Sequence, residues 1–264
     1  MKKSIFALIA ELQESGECFA LCTIISTQGS TPRHVGSKML VYNNGDFSGT
    51  VGGGELEHRV LDEAWVALTD GKPRKLSYSM TDPARGDVGV CGGQVEVFVE
   101  PYLPAPRIII IGGGHVGKAV AHLAKWSGFR VAVSDDRTEF CTAEANPDAD
   151  EFFPVSIEQL PHQTKINKQT YFVLTTRGVG TDIPGIPFLL KTNAAYIGVI
   201  GSRRRWSVTI KGLKEQGITE EQIARIHAPI GLELNAETPE EIAISIMAEV
   251  IMIRNKGNGK PMAD

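Results

Sequence analysis

Six residues, Gly112-Gly-Gly114-His-Val-Gly117, carry the spacing G-x-G-x-x-G. That spacing serves phosphate binding. Gly112 permits a tight turn, Gly114 lets the main chain approach a phosphate, and Gly117 lets a helix pack on the strand before it. The free N–H groups at the helix start and the helix macrodipole attract the anion, and His115 and Val116 lie in that first turn. The pattern alone is weak. Here it follows the apolar run Ile108–Ile111 and opens a helix, which is the context the motif needs. The next apolar run ends at Ser134-Asp-Asp136, and Asp135 stands 18 residues after Gly117, where an acid that holds a ribose hydroxyl is expected. The bland alternative is an aspartate that serves a turn.

Gly201-Ser-Arg-Arg-Arg-Trp206 points to a second anion site. Ser202 is placed to cap a helix, and Arg203 to Arg205 stand in its first turn, where positive charge opposes the helix dipole. An arrangement that costs stability is explained by a bound anion, or else by three solvated arginines.

The first half offers different chemistry. Gln28-Gly-Ser-Thr-Pro-Arg-His-Val-Gly-Ser37 is a polar loop between strands, with Arg33 and His34. Thr50-Val-Gly-Gly-Gly-Glu55 sets Gly53 and its neighbours before a helix, with Glu55 in the first turn. Glu55 and Glu57 would repel phosphate, so a neutral or hydrogen-bond-donating group suits that loop better. Cys91-Gly-Gly93 puts a thiol in a glycine loop just before a strand. Such a thiol could ligate a soft metal or carry sulfur, or be an inert loop cysteine. No Cys or His pair has zinc-finger spacing, and no Ser-His-Asp arrangement can be argued from the scattered histidines.

The bulk composition narrows the classes. The chain of 264 residues is 42% hydrophobic and 22% charged, so it can build a real core. Its net charge of −4 gives no general attraction to nucleic acid or to an anionic membrane surface. Four cysteines without a C-x-x-C pair do not make a disulfide scaffold. Cys18 and Cys22 lie in an apolar run, as small hydrophobes do. The start, Met1-Lys-Lys-Ser, leads into an amphipathic helix rather than a signal peptide. The expected setting is the cytoplasm.

These groups need elements to position them. Pro101-Tyr-Leu-Pro-Ala-Pro106 reads as a linker that cannot continue a helix or a central strand. It divides a small α+β domain over residues 1–103 from a Rossmann-like domain over residues 107–256. In the first, Cys18–Ser26, Lys38–Tyr42 and Val95–Glu100 read as strands, Asn43–Asp46 as a turn, and Glu55–Leu68 as a helix. In the second, strands Arg107–Ile111, Arg130–Ser134, Tyr171–Thr175 and Tyr196–Ile200 alternate with helices His115–Ser127, Ile183–Lys191 and Arg203–Gln216. That order implies α/β architecture with a parallel sheet. Thr238-Pro-Glu-Glu241 opens a last helix with a capping box and a proline at its first position.

Taken together, Gly29-Ser-Thr-Pro-Arg33, Gly49-Thr-Val-Gly-Gly-Gly-Glu55, Cys91-Gly-Gly93, Gly112–Gly117, Asp135-Asp-Arg137, Gly201-Ser-Arg-Arg204, His227-Ala-Pro-Ile-Gly-Leu232 and Ala236–Ala243 resemble the XdhC/CoxI family of xanthine dehydrogenase accessory proteins. The resemblance covers nearly the whole chain. It implies a protein that binds the molybdenum cofactor, as molybdopterin or its nucleotide form. Such a protein protects the cofactor during sulfuration and delivers it to a molybdenum hydroxylase such as xanthine dehydrogenase. A cysteine desulfurase is an implied sulfur source, and a homo-oligomer is the implied assembly. The phosphate end would suit Gly112–Gly117 with Asp135, Arg137, Ser202 and Arg203. The molybdenum end would suit Cys91, Gly53 and Glu55, so the cofactor would bridge the domains. Relatives commonly carry a threonine-histidine pair after the strand Tyr171–Thr175, where this chain has Thr176-Arg177-Gly178. The absence of a readable acid–base or nucleophile set favours a maturation factor over a turnover enzyme. The alternative is an NAD(P)-dependent oxidoreductase, which the same loop and Asp135 would serve.

Overall fold

The computed structural model describes residues 3–81, 87–89 and 91–263; Met1 and Lys2 of the basic start lie outside them. The chain forms two compact units, one ending at Pro104 and the other beginning at Ala105.

The first unit opens with helix α1 (Ile5–Ser15), capped by the Ser4 hydroxyl and closed by Gly16 in the left-handed region. A five-stranded antiparallel sheet follows, in the order β3-β2-β1-β5-β4. Its strands are β1 (Phe19–Gln28), β2 (Lys38–Tyr42), β3 (Phe47–Gly49), β4 (Arg74–Ser79) and β5 (Gln94–Tyr102). The Asn43–Asp46 turn joins β2 to β3, with Gly45 at φ +96° and Tyr42 N–H bonded to Asp46 O at 2.9 Å. Helix α2 (Gly54–Asp70) lays Leu56, Val60, Ala64 and Ala67 on one face of the sheet. Spacings of three and four put those residues on one stripe, and they pack with Cys22, Ile24, Val97 and Val99.

One expectation is corrected here. β5 is an inner strand and runs through Pro101, which pairs with Ala20. The pairing of β4 with β5 ends at Val99, so Pro101 has a ladder neighbour on one side, and a missing N–H is tolerated there.

The second unit is a six-stranded parallel sheet in the order β11-β10-β9-β6-β7-β8. Its strands are β6 (Arg107–Ile111), β7 (Arg130–Ser134), β8 (Glu151–Phe153), β9 (Thr170–Leu174), β10 (Tyr196–Val199) and β11 (Ile226–His227). Its helices are α3 (His115–Trp126), α4 (Leu160–Gln163), α5 (Val179–Leu190), α6 (Arg203–Glu215), α7 (Glu220–Ile223) and α8 (Pro239–Arg254). The run of isoleucines in β6 is explained by burial on both faces. Ile108 and Ile110 join the core under α3 and α8, and Ile109 and Ile111 join the core under α5 and α6. The chain enters at β6, moves outward through β7 and β8, and returns to β9 on the other side. The doubly wound order therefore reverses between β6 and β9, and the crevice beyond the carboxyl ends of those strands is where such sheets bind ligands.

α5 begins at Val179 and not at Ile183, and it contains Pro184 and Pro187. The cost of proline in a helix is offset by the burial of Ile186, Leu189 and Leu190. Among the described residues no helix is long and apolar enough to cross a membrane.

Candidate functional site

The glycine loop leaves β6 at Ile111 and turns into α3. Gly112 has φ +112°, a conformation open to glycine. A Cβ on Gly117 would lie 2.0 Å from Gly112 O, so the close return of the helix onto the loop needs a glycine there. The loop is held from both sides. Thr175, at the end of β9, donates its hydroxyl to Gly112 O (2.7 Å) and its N–H to Ile111 O (2.9 Å). Asn146, fully buried, donates to Gly113 O (3.1 Å) and Phe140 O (2.8 Å).

The loop amides divide into two groups. Gly112 N–H is used by Ser134 O (2.8 Å), and Gly113 N–H by Asp135 Oδ2 (2.9 Å). The N–H groups of Gly114, His115 and Val116 precede any intrahelical acceptor, and no side chain caps α3. A Cβ on Gly114 would meet nothing within 4 Å, so the main chain borders open space there. A phosphate can approach those amides.

Asp135 is buried at the end of β7. Gly113 N–H and the Arg137 main chain (3.0 Å), Nε (3.0 Å) and Nη2 (2.8 Å) all donate to its carboxylate. Burial pushes its carboxyl up, but the hydrogen bonds from Arg137 and Gly113 outweigh burial and hold it below the ordinary carboxylate value. Arg137 in turn lies over the Phe140 ring, 4.0 Å from its centroid. The acid placed by sequence spacing therefore braces the glycine loop through Oδ2, while both of its oxygens hold Arg137. Its neighbour Asp136 points elsewhere and takes Arg177 Nη2 at 2.9 and 2.8 Å. These two side chains are 47% and 53% exposed, and such a pair contributes about 0–1 kcal/mol. Gly112, Asp135, Asp136, Arg137, Thr176 and Arg177 line a narrow crevice of about 30 Å³ at the switch point.

At the start of α6, the Ser202 hydroxyl accepts from Arg205 N (3.2 Å), so it caps its own helix. Arg205 turns inward, to Asp182 Oδ2 (2.6 Å) and the Thr176 hydroxyl (2.7 Å). Asp182 is fully buried and also accepts from Thr176. Of the three arginines, Arg203 and Arg204 remain exposed. Parallel strands followed by helices bring the starts of α3, α5 and α6 to the same edge of the sheet.

His115 turns away from the crevice. It lines a separate groove of about 380 Å³ between α3 and α8, with Lys118, His122 and Ile244. His227 lies on β11, three strands from β6, or roughly 14 Å away at the usual strand spacing. Its Nδ1 is 3.1 Å from Glu249, which also accepts from Tyr196 Oη (3.0 Å) and Gly231 N–H.

In the first unit the sequence motifs converge. A Cβ on Gly93 would lie 2.2 Å from Ser30 O, and one on Gly52 would lie 2.8 Å from the Pro32 ring. The loops around Gly29–Arg33, Gly49–Glu55 and Cys91–Gly93 are therefore one closely packed cluster. Cys91 is exposed in it, whereas Cys18, Cys22 and Cys141 are buried. Burial pushes the Cys22 thiol up to about 12. Glu57 reaches back to the Thr50 hydroxyl (2.5 Å) and Val51 N–H (3.3 Å), bracing the glycine run. Glu55 pairs with Arg59 at 2.8 Å, and Gly53 starts α2 without a side-chain cap. Among the described residues no three His, Cys, Asp or Glu side chains stand together as a metal cage.

Sequence reasoning missed Asn146, Thr175, Asp182 and Glu249, and it read Glu57 as a charge that repels phosphate rather than as a brace. Glu249 left a signal: it stands seven residues after Ile242, on the apolar stripe of α8. Asn146, Thr175 and Asp182 act through contacts 33, 63 and 23 residues away in sequence, which no local pattern marks.

A family model described as XdhC Rossmann domain matches residues 108–250, and one described as XdhC and CoxI family matches residues 12–79. Among curated proteins the chain is 36% identical to Uncharacterized protein YqeB of Escherichia coli (strain K12), over 97% of this chain and 47% of the relative. It is 32% identical to a probable xanthine dehydrogenase subunit of Bacillus subtilis (strain 168), over 61% of this chain and 46% of the relative. The chain thus spans about half the length of these two relatives. It is 22% identical to Molybdenum cofactor insertion chaperone PaoD of Escherichia coli (strain K12), over 96% of this chain and 88% of the relative. A crystal structure described as a xanthine dehydrogenase from Bacillus halodurans shares the fold, with a TM-score of 0.52, 22% identity and 97% coverage of both chains. The two family models fall on the two compact units, and the Rossmann model alone spans more than half of the 264 residues: the chain belongs to the XdhC and CoxI family.

Proposed function

We propose that this chain is an accessory protein that binds the molybdenum cofactor and assists its sulfuration and insertion into a xanthine dehydrogenase-type molybdenum hydroxylase. The observation that supports this most is the glycine loop, whose Gly114, His115 and Val116 amides have no side-chain cap and whose main chain borders open space at Gly114, in a chain similar to a molybdenum cofactor insertion chaperone. Those residues fit the phosphate of a pterin or of its nucleotide form. The exposed Cys91 thiol, on a loop cluster rich in glycine, fits a soft metal or a sulfur atom. Installed in a hydroxylase, the cofactor supplies a redox-active molybdenum centre; the part of this chain is to hold, shield and release it. The client is a molybdenum hydroxylase, the sulfur source a cysteine desulfurase, the assembly a homo-oligomer and the compartment the cytoplasm.

The nicotinamide alternative has less support. Asp135, on which it leans, is filled by the protein's own donors, and His115 and His227 stand away from the crevice.

The test is anaerobic purification from cells that make the cofactor, followed by transfer to an apo-hydroxylase. The chain is expected to carry cofactor and to raise client activity. Cys91→Ser is expected to keep the bound cofactor and lose most of the activation. A protein that holds no cofactor under reducing, anaerobic conditions would contradict the proposal, and normal activation by Cys91→Ser would remove the thiol from it.

A further inference from the structure

Two arginines border the crevice at the switch point, and they are not equally available. Arg137 is committed. Its partner Asp135 is a buried carboxylate, and removing Arg137 would leave that charge largely uncompensated. Its guanidinium is also stacked on Phe140. Arg177 is different. Its partner Asp136 is about half exposed, and no buried group depends on the pair. An exposed ion pair is weak and exchanges readily for a better partner.

The position of the pair gives it a role. Asp136 follows the end of β7, Arg177 follows the end of β9, and β6 lies between them. The ion pair therefore spans the carboxyl end of β6, across the crevice that begins at Gly112. A ligand whose phosphate sits on the amides of Gly114 to Val116 lies beside this span. A pyrophosphate has a second phosphate to place, and guanidinium groups bind phosphate through paired hydrogen bonds.

We propose that Arg177 is a phosphate-binding residue that Asp136 occupies in the free protein, and that the diphosphate of a nucleotide ligand takes the place of Asp136. The inference rests on the reading of the glycine loop as a phosphate site. It assigns Asp136 the part of an internal competitor: its carboxylate mimics the ligand's anion, and ligand binding has to release it. The two partners of one ion pair then act in opposite directions on binding, which a purely structural pair would not do.

The test uses the full chain and ADP as probe, with inorganic pyrophosphate alongside, by titration calorimetry. Arg177→Gln is expected to weaken ADP binding by about tenfold or more. Asp136→Asn is expected to tighten it about three- to tenfold, since it removes both the competitor and a like charge. The double variant should bind more weakly than the parent and lie nearer to Arg177→Gln than to Asp136→Asn, because the competition by Asp136 runs through Arg177. Melting temperatures should stay within about 2 °C of the parent, as both side chains are exposed. Weaker binding in both single variants, or an unchanged affinity in Asp136→Asn, would overturn the proposal. Gly114→Val separates it from the reading beneath: if that variant binds ADP as the parent does, the loop is not the phosphate site. If neither the parent nor Asp136→Asn binds ADP or pyrophosphate, both fall.

Discussion

Two glycines of the same motif are needed for opposite reasons, and substitution separates them. At Gly114 an added side chain meets no protein atom; it fills the space that a phosphate would take. Gly114→Val is therefore expected to abolish cofactor binding with little change in stability. At Gly117 an added Cβ meets a main-chain oxygen at 2.0 Å. Alanine in a helix interior normally gains up to about 1 kcal/mol over glycine. Here the clash is with backbone, which cannot swing aside, so Gly117→Ala is expected to cost about 1–3 kcal/mol. Urea unfolding midpoints of the two variants check the contrast, and equal midpoints would contradict it. The cysteines divide in the same way. A thiol reagent at pH 8 should modify Cys91 in the native protein and spare Cys18, Cys22 and Cys141, which are buried. Native-state modification of a second thiol would count against that assignment.

At the scale of elements, Glu249 is the informative case. It is a carboxylate on the buried face of α8, tied to β10, β11 and the loop after β11 through Tyr196, His227 and Gly231. Burial pushes its carboxyl up, but hydrogen bonds from His227, Gly231 and Tyr196 outweigh that and leave it below the ordinary value. Asp135 is lowered in the same sense. A group with a depressed folded-state pKa adds stability above its unfolded value and loses it as pH falls through its folded value. Stability should therefore hold from neutral pH to about pH 5 and fall as the solution goes below about pH 4, the ordinary carboxylate range. Glu249→Gln should cost about 1–3 kcal/mol at pH 7 and flatten the acid loss. Urea midpoints at pH 7, 5 and 3 read both effects. An unflattened acid limb in Glu249→Gln would show that this carboxylate is not among the groups responsible.

The elements also show what a sequence can carry. β6, α3 and the capped start of α8 were legible because their signals are local: an apolar run, a glycine turn, and the Thr238–Glu241 box with Pro239. β8 and β11 were not, since three and two residues at sheet edges leave no period to read. The proline rule misplaced the end of β5, where one-sided pairing relaxes it, and the start of α5 was read four residues late. Within the site, the loop was readable and its bracing was not. Asn146 and Thr175 reach Gly113 and Gly112 from 33 and 63 residues away. Asp135 had the spacing of a ribose ligand and the contacts of a brace.

At the scale of the whole molecule, a net charge of −4 means that an anionic ligand gains nothing from the overall field and must be held by local donors. The first unit gathers its motif loops into one cluster, and the second holds the glycine loop on a doubly wound sheet. The account turns on a few main-chain amides at the opening of α3. Amide resonances of the ¹⁵N-labelled chain, followed during anaerobic addition of the molybdenum cofactor, test it most directly. The N–H signals of Gly114, His115 and Val116 are expected to shift most among those of the second unit, while that of Gly113, already bonded to Asp135, moves little. Saturable binding that leaves those three signals in place would contradict the account.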